Sequence, residues 1–159
     1  MADRKTFKVI LIKPSQYDTD GYVVQWFRSI TPSNALACVC GIVQDAALRH
    51  ALGDDIEIVV TAYDEYNTRI PIKAIKRDLK NPSDGVVMLV GVHTHQYPRA
   101  MDLARPLREA GVQVMMGGFH VSGCLAMVPD WEPALALAKE LGVSLFAGEL
   151  EDHVDAVLK

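Results

Sequence analysis

Four short segments collect the side chains able to do chemistry. They are Lys13-Pro14-Ser15-Gln16, His93-Thr94-His95-Gln96, Gly117-Gly118-Phe119-His120 with Ser122 and Gly123 just beyond, and Gly148-Glu149. His93 and His95 are two apart, and in an extended segment that spacing puts both rings on one side of the chain. With His120 they make a candidate metal set, because imidazole suits zinc, iron and copper. A fourth ligand would have to be Glu149 or Cys124. The paired glycines point to different chemistry. Lacking Cβ atoms, they let backbone approach something bulky, such as a phosphate or a flat cofactor. Backbone amides there could hold an anion while a His120 nitrogen donates to it. Thr94 and Gln96 would then hydrogen bond beneath a cofactor lying flat on their loop. Asp64-Glu65 offers acid–base chemistry, but adjacent acids point in different directions, and a capping or ribose-binding role suits them equally. His50 and His153 are expected to face solvent.

Such segments need a scaffold that brings them to one edge, and the hydrophobic pattern supplies it. Apolar runs at 7–12, 56–62, 86–92, 112–116 and 143–147 read as strands. Helical stretches at 33–51, 72–80, 99–110, 132–141 and 151–158 fall between or after them, the first capped by Ser33 or Asn34. Strands apolar on both faces and separated by helices predict a parallel sheet covered on both sides. Five of them give a doubly wound, flavodoxin-like (Rossmann-like) α/β domain of strand order 2-1-3-4-5. Turns entering the strands are plain, as at Gly53-Asp54-Asp55 and Ser83-Asp84-Gly85. Those leaving them carry the reactive residues, and in a parallel sheet all exits share the edge where ligands bind. The connection 13–32 is about twenty residues long, against ~2–6 for an ordinary βα loop. It holds Tyr17, Tyr22, Trp26 and Phe27, with a short helix expected at 21–29, and reads as a lid or wall over the binding edge.

Composition narrows the classes. A chain of 159 residues, half of them hydrophobic, suffices for one domain with a continuous core. The net charge is −4 and no basic cluster occurs, which argues against a nucleic-acid partner. No run approaches ~18 unbroken apolar residues, so no membrane partner is expected. The start lacks the pattern of a secretory signal, and a cytoplasmic location is expected. Cys38, Cys40 and Cys124 are expected to be buried free thiols, too scattered for an iron–sulfur centre or a zinc ribbon. No G-x-S-x-G, P-loop or G-x-G-x-x-G occurs, against a hydrolase elbow, a nucleoside triphosphatase and a dinucleotide fold.

On Ile12-Lys13-Pro14-Ser15, the third strand ending near Thr94 and Gln96, Gly117-Gly118-Phe119-His120, and Ala147-Gly148-Glu149, the chain resembles a known family. That family is the cobalamin (B12)-binding domain found at the N-terminus of B12-dependent radical SAM enzymes. The resemblance covers nearly the whole chain. It implies a corrin ring across the C-terminal edge of the sheet, its nucleotide tail reaching down beside the glycine-rich segment. Gly117, Gly118 and His120 would line the tail, and Ser15, Thr94, His95 and Gln96 would approach the lower face of the corrin. Gln16, His93, Phe119, Ser122, Gly148 and Glu149 complete the implied cofactor site.

The D-x-H-x-x-G motif of methionine-synthase-type domains is absent. His120-Val121-Ser122-Gly123 supplies H-x-x-G, but Gly118 stands where the aspartate belongs, and the segment follows the fourth strand rather than the first. The implied cofactor is therefore base-off without that motif's histidine, leaving His93 or His95 as candidates for the lower cobalt ligand. The radical SAM cysteine triplet is also missing. A radical SAM domain, in cis beyond Lys159 or in trans, would hold the 4Fe–4S cluster and S-adenosylmethionine, and methyl transfer is the implied reaction. The isolated domain is expected to have no turnover. Two other readings stand beside this one: a small metal-dependent enzyme using His93, His95 and His120, and a flavodoxin-like interaction module.

Overall fold

Five parallel strands form one sheet in the order β2-β1-β3-β4-β5, the order the sequence predicts. They are β1 (Lys5–Lys13), β2 (Ile56–Asp64), β3 (Gly85–Leu89), β4 (Gln113–Gly117) and β5 (Ser144–Phe146). The computed structural model describes residues 4–27, 31–130 and 132–159. β3 is buried along its whole length, as a central parallel strand must be. β2 forms one edge, and Val59 on it is 39 % exposed.

Alternation along the strands feeds two cores. Val9, Leu11, Val86 and Met88 face α1 (Asn34–Leu48) and α6 (Val154–Leu158). Ile10, Ile12, Val87, Leu89, Val114 and Met116 face α2 (Ile72–Asp78), α3 (Tyr97–Glu109) and α5 (Ala136–Glu140). Ser33 caps α1, its Oγ accepting from the Leu36 amide at 3.3 Å. Among the described residues no helix is long and apolar enough to cross a membrane.

The structure departs from the sequence reading in five places. A helix, α4 (Phe119–Met127), follows the paired glycines, where the sequence reading places none. Gly123 and β-branched Val121 depress its intrinsic propensity, but burial of His120, Val121 and Cys124 on one side outweighs that. The helix expected at 132–141 is a 3-10 turn followed by the single turn of α5, and the last helix begins only at Val154. No helix forms over 21–27. Tyr17 instead bridges Val23 in antiparallel fashion, while 28 and 29 lie outside the described residues. Of the three thiols only Cys124 is buried; Cys40 is half-buried and Cys38 is exposed on α1.

Candidate functional site

Because the strands are parallel, the ends of β1, β3, β4 and β5 share one rim. Hydrogen bonds knot it together from Lys13 across to α3. Lys13, the last residue of β1 and 7 % exposed, donates from Nζ to the Gly91 carbonyl and to Gln96 Oε1, the latter at 2.9 Å. Burial pushes its ammonium down from an ordinary 10.5 to about 8, with Asp64 pulling the other way. Gln96 Oε1 also accepts from the His93 amide at 3.0 Å. Its Nε2 donates to the Pro14 carbonyl at 3.0 Å and to the Tyr66 hydroxyl at 3.2 Å. Those four bonds saturate the amide.

Ser15 is fully buried: its amide donates to Glu65 Oε2 at 3.0 Å and its hydroxyl to the Val24 carbonyl. Glu65, 1 % exposed, is gripped by Arg99, whose Nε lies 3.1 Å from both carboxylate oxygens and whose Nη2 also donates to Oε1. Tyr17 donates to Asp102 and accepts from Arg99 Nη1 at 3.4 Å. Gln16 joins through its backbone carbonyl, 2.9 Å from the Val24 amide, and its side chain, 3.5 Å from the Tyr66 hydroxyl. The Ser15 hydroxyl and the Gln96 amide, expected beneath a corrin, are thus occupied within the protein. Asp64 caps the turn, accepting from the Tyr66 amide at 3.0 Å, which supports the capping role over acid–base chemistry. The long connection is a strap tied to α3 and to the turn after β2. It leaves Tyr22, Trp26 and Phe27 exposed.

The α1 side of the rim is open. A groove of ≈ 300 Å³ runs between the sheet and α1, walled by Ala35 and Cys38 of α1, floored at Gly91 and Gly117, and closed by Gly148 and Glu149. Gly117 falls on the same face as Met115, and both line the groove. A Cβ at Gly117 would meet only Phe146, at 3.4–3.7 Å, an ordinary contact. Its missing side chain therefore keeps the floor low. Gly118 has another reason to be glycine. At φ +131° its Cβ would sit 2.2 Å from the Val92 nitrogen, because that backbone is stitched to this one. Val92 N donates to Gly117 O at 3.0 Å, and His120 N to Val92 O at 2.9 Å. The bulky neighbour that glycine admits at 118 is the protein's own chain. Ser122 Oγ accepts from the Gly148 amide at 3.2 Å and so fastens the exit of β5 to α4.

The three candidate histidines do not converge. His120 is 7 % exposed, its ring 4.4 Å from that of Tyr97 on α3, with Nδ1 3.4 Å from Thr94 Oγ1 and 3.8 Å from Cys124 Sγ. It packs on the α3 side and does not line the groove, contrary to the expected cradle. Burial holds its pKa below the ordinary value, while the Ala134 backbone pulls it back up. His93 and His95 stack at 5.7 Å and 13° on the exposed rim, and Phe119 stacks on His93 at 6.0 Å. Burial, then the charges of Lys13 and His95, hold His93 below its ordinary 6.5. Among the described residues no group of three or more His, Cys, Asp or Glu forms a metal site, which removes the geometric basis for the metal-enzyme reading.

No protein-family model matches the chain, and comparison with curated proteins and with solved structures finds no match. Function must therefore be read from the rim and the groove. Of the thirteen residues expected to hold a cofactor, Gly117, Gly118, Gly148 and Glu149 line the groove. His93, Thr94, His95 and Phe119 are exposed on the rim, and Ser15, Gln96 and His120 are buried in the packing around it. Sequence reasoning missed the structural roles of Lys13, Arg99 and Cys38. For Lys13 a signal existed: a charged residue closing the run Val9 to Ile12, in step with Leu11 and so on the α1 face.

Proposed function

We propose that this domain binds cobalamin, base-off, with the nucleotide tail in the groove between α1 and the sheet and the corrin over the rim. The groove left open by Gly117 carries the reading. Its ≈ 300 Å³ lies at the small end of ligand pockets, about 300–1,000 Å³, which suits the tail of a large cofactor rather than the whole of it. A flat, mostly apolar benzimidazole fits walls made by Val39, Ile42 and Met115, and ribose hydroxyls can donate to the Glu149 carboxylate. At the rim, Phe119, His93 and His95 offer a row of flat rings to the corrin. His93, whose burial disfavours the protonated ring, would have a lone pair to offer to the cobalt. Bound cobalamin would supply methyl-group carriage for a radical SAM reaction. The iron–sulfur cluster and S-adenosylmethionine would belong to a partner domain, in cis or in trans. This chain's part is to position the cofactor and shield its tail.

The test is uptake. Folded protein mixed with hydroxocobalamin and passed through gel filtration should elute with corrin absorption, and the thiol of Cys38, which lines the groove, should then label more slowly. A folded fraction without corrin absorption overturns the proposal. Tyr22 at 73 % and Trp26 at 61 % exposure favour one second reading, an interaction module. A ligand-free dimer in the same experiment, with no corrin, would select it.

A further inference from the structure

We infer that Lys13 and the first turn of α1 form an anion subsite at the head of the groove, built for a phosphate mono- or diester. The inference rests on the proposed cobalamin reading only for the source of that group, the phosphodiester between corrin and nucleotide. Among the described residues, Lys13 is a buried cation with no carboxylate in ion-pair contact; half-buried Asp64 acts on it only through space. Both groups that accept from Nζ are neutral carbonyl oxygens. An ammonium has three donors, so one remains. Removing a charge from water without pairing it is costly, and a cation kept in that state beside a ligand groove is readily explained by an anion that arrives with the ligand.

Its position agrees. A Cβ placed on Gly91 would touch both the Ala35 Cβ, at 2.8 Å, and Lys13 Nζ, at 3.4 Å. Only the backbone of Gly91 therefore separates the ammonium from Ala35 in the first turn of α1, and Gly91 and Ala35 both line the groove. That turn is equally short of negative charge. It has no acidic residue. Its Leu36 amide goes to Ser33 Oγ and its Ala37 amide to the Ser33 carbonyl. The amides of Asn34 and Ala35 have no acceptor within the helix, and the positive end of the helix favours an anion there. Glu149 and Glu151 line the groove from the chain leaving β5. The mostly apolar groove thus carries opposite charges near its two ends, cationic toward β1 and acidic beside β5, which favours one orientation for a ligand with a single anionic group.

Two arms test this. In the first, wild-type protein with ¹⁵N-labelled lysines is titrated with inorganic phosphate, against chloride at matched ionic strength, with the Lys13 Nζ resonance assigned through its side-chain carbons. A saturable shift with phosphate alone is expected. No shift, or an equal shift with chloride, overturns the subsite whether or not cobalamin binds. In the second, calorimetry compares hydroxocobalamin with cobinamide, a corrin lacking the phosphodiester and nucleotide, on wild type and Lys13→Met. The variant should lose about tenfold or more in cobalamin affinity, the scale of one charge-assisted hydrogen bond, and keep cobinamide affinity within about twofold. Equal losses for both corrins overturn the subsite. A shift with phosphate in a wild type that takes up no corrin supports the subsite and sinks the cobalamin reading instead.

Discussion

The α3 side and the α1 side of one rim are finished in opposite ways. On the α3 side Ser15, Glu65, Arg99 and Gln96 close upon each other, and among the described residues no buried side-chain polar atom lacks a partner. On the α1 side the packing stops short, leaving a groove over Gly117. Polar residues that look reactive in the sequence can thus be structural when buried and saturated, while the residue that admits a ligand can be one with nothing to offer but space. The adjacent glycines state the contrast within two positions. One is required by the Val92 backbone, and the other keeps the groove open.

Breaking the packed side should cost most. Gly118→Val drives a side chain into the Val92 backbone, and several kcal/mol should go, on the order of the 4–5 kcal/mol that marks exceptional mutants. Folded protein should not accumulate, and a cooperative melt near that of wild type would refute the account of Gly118. Next comes Glu65→Ala, which strands Arg99 and the Ser15 amide. Urea unfolding should show a loss of about 3–5 kcal/mol, as for other broken buried pairs. A loss under about 1 kcal/mol would mean that the strap is not held by this pair. His120→Ala sits on the same side and should cost about 1–3 kcal/mol while leaving hydroxocobalamin affinity unchanged. Weaker binding at unchanged stability would return His120 to the ligand site.

Gly117→Leu sharpens the contrast from the open side. Stability should stay within about 1 kcal/mol, because a Cβ there comes no closer than 3.4 Å to its neighbour Phe146. Corrin uptake should be lost and Cys38 labelling slowed. Normal uptake would mean that the ligand lies elsewhere. The last effect, a pH dependence, concerns Lys13. Folded, its ammonium titrates at about 8, against an ordinary 10.5, so between those values the unfolded chain holds more protons. Wild-type stability relative to Lys13→Met should therefore rise with pH across that window and be flat below it. A difference that falls with rising pH would show that Lys13 is not desolvated as described.

Strand order was legible because strands apolar on both faces, separated by helices, leave few right-handed topologies for a parallel sheet. The rim was legible for the same reason, since every exit lies at one end. What escaped was the third dimension of individual side chains. His120 and Gly117 are three residues apart, yet α4 sends one into the α3 packing and β4 leaves the other over the groove. Nothing local announces α4, whose burial stripe at 120, 121 and 124 is short and interrupted by Gly123. Lys13 escaped for a different reason. A lysine beside a proline reads as a solvated turn until the neighbouring Gly91 and Gln96, nearly eighty residues away or more, are seen to enclose it.

The neighbouring glycines have a practical corollary for anyone diversifying this fold. A library randomised at both positions and sorted for folding should return glycine alone at 118 and a broad range of sizes at 117. Sorting the survivors again for ligand uptake should then grade position 117 by side-chain volume, so that two adjacent identical letters separate into a scaffold constraint and a size filter.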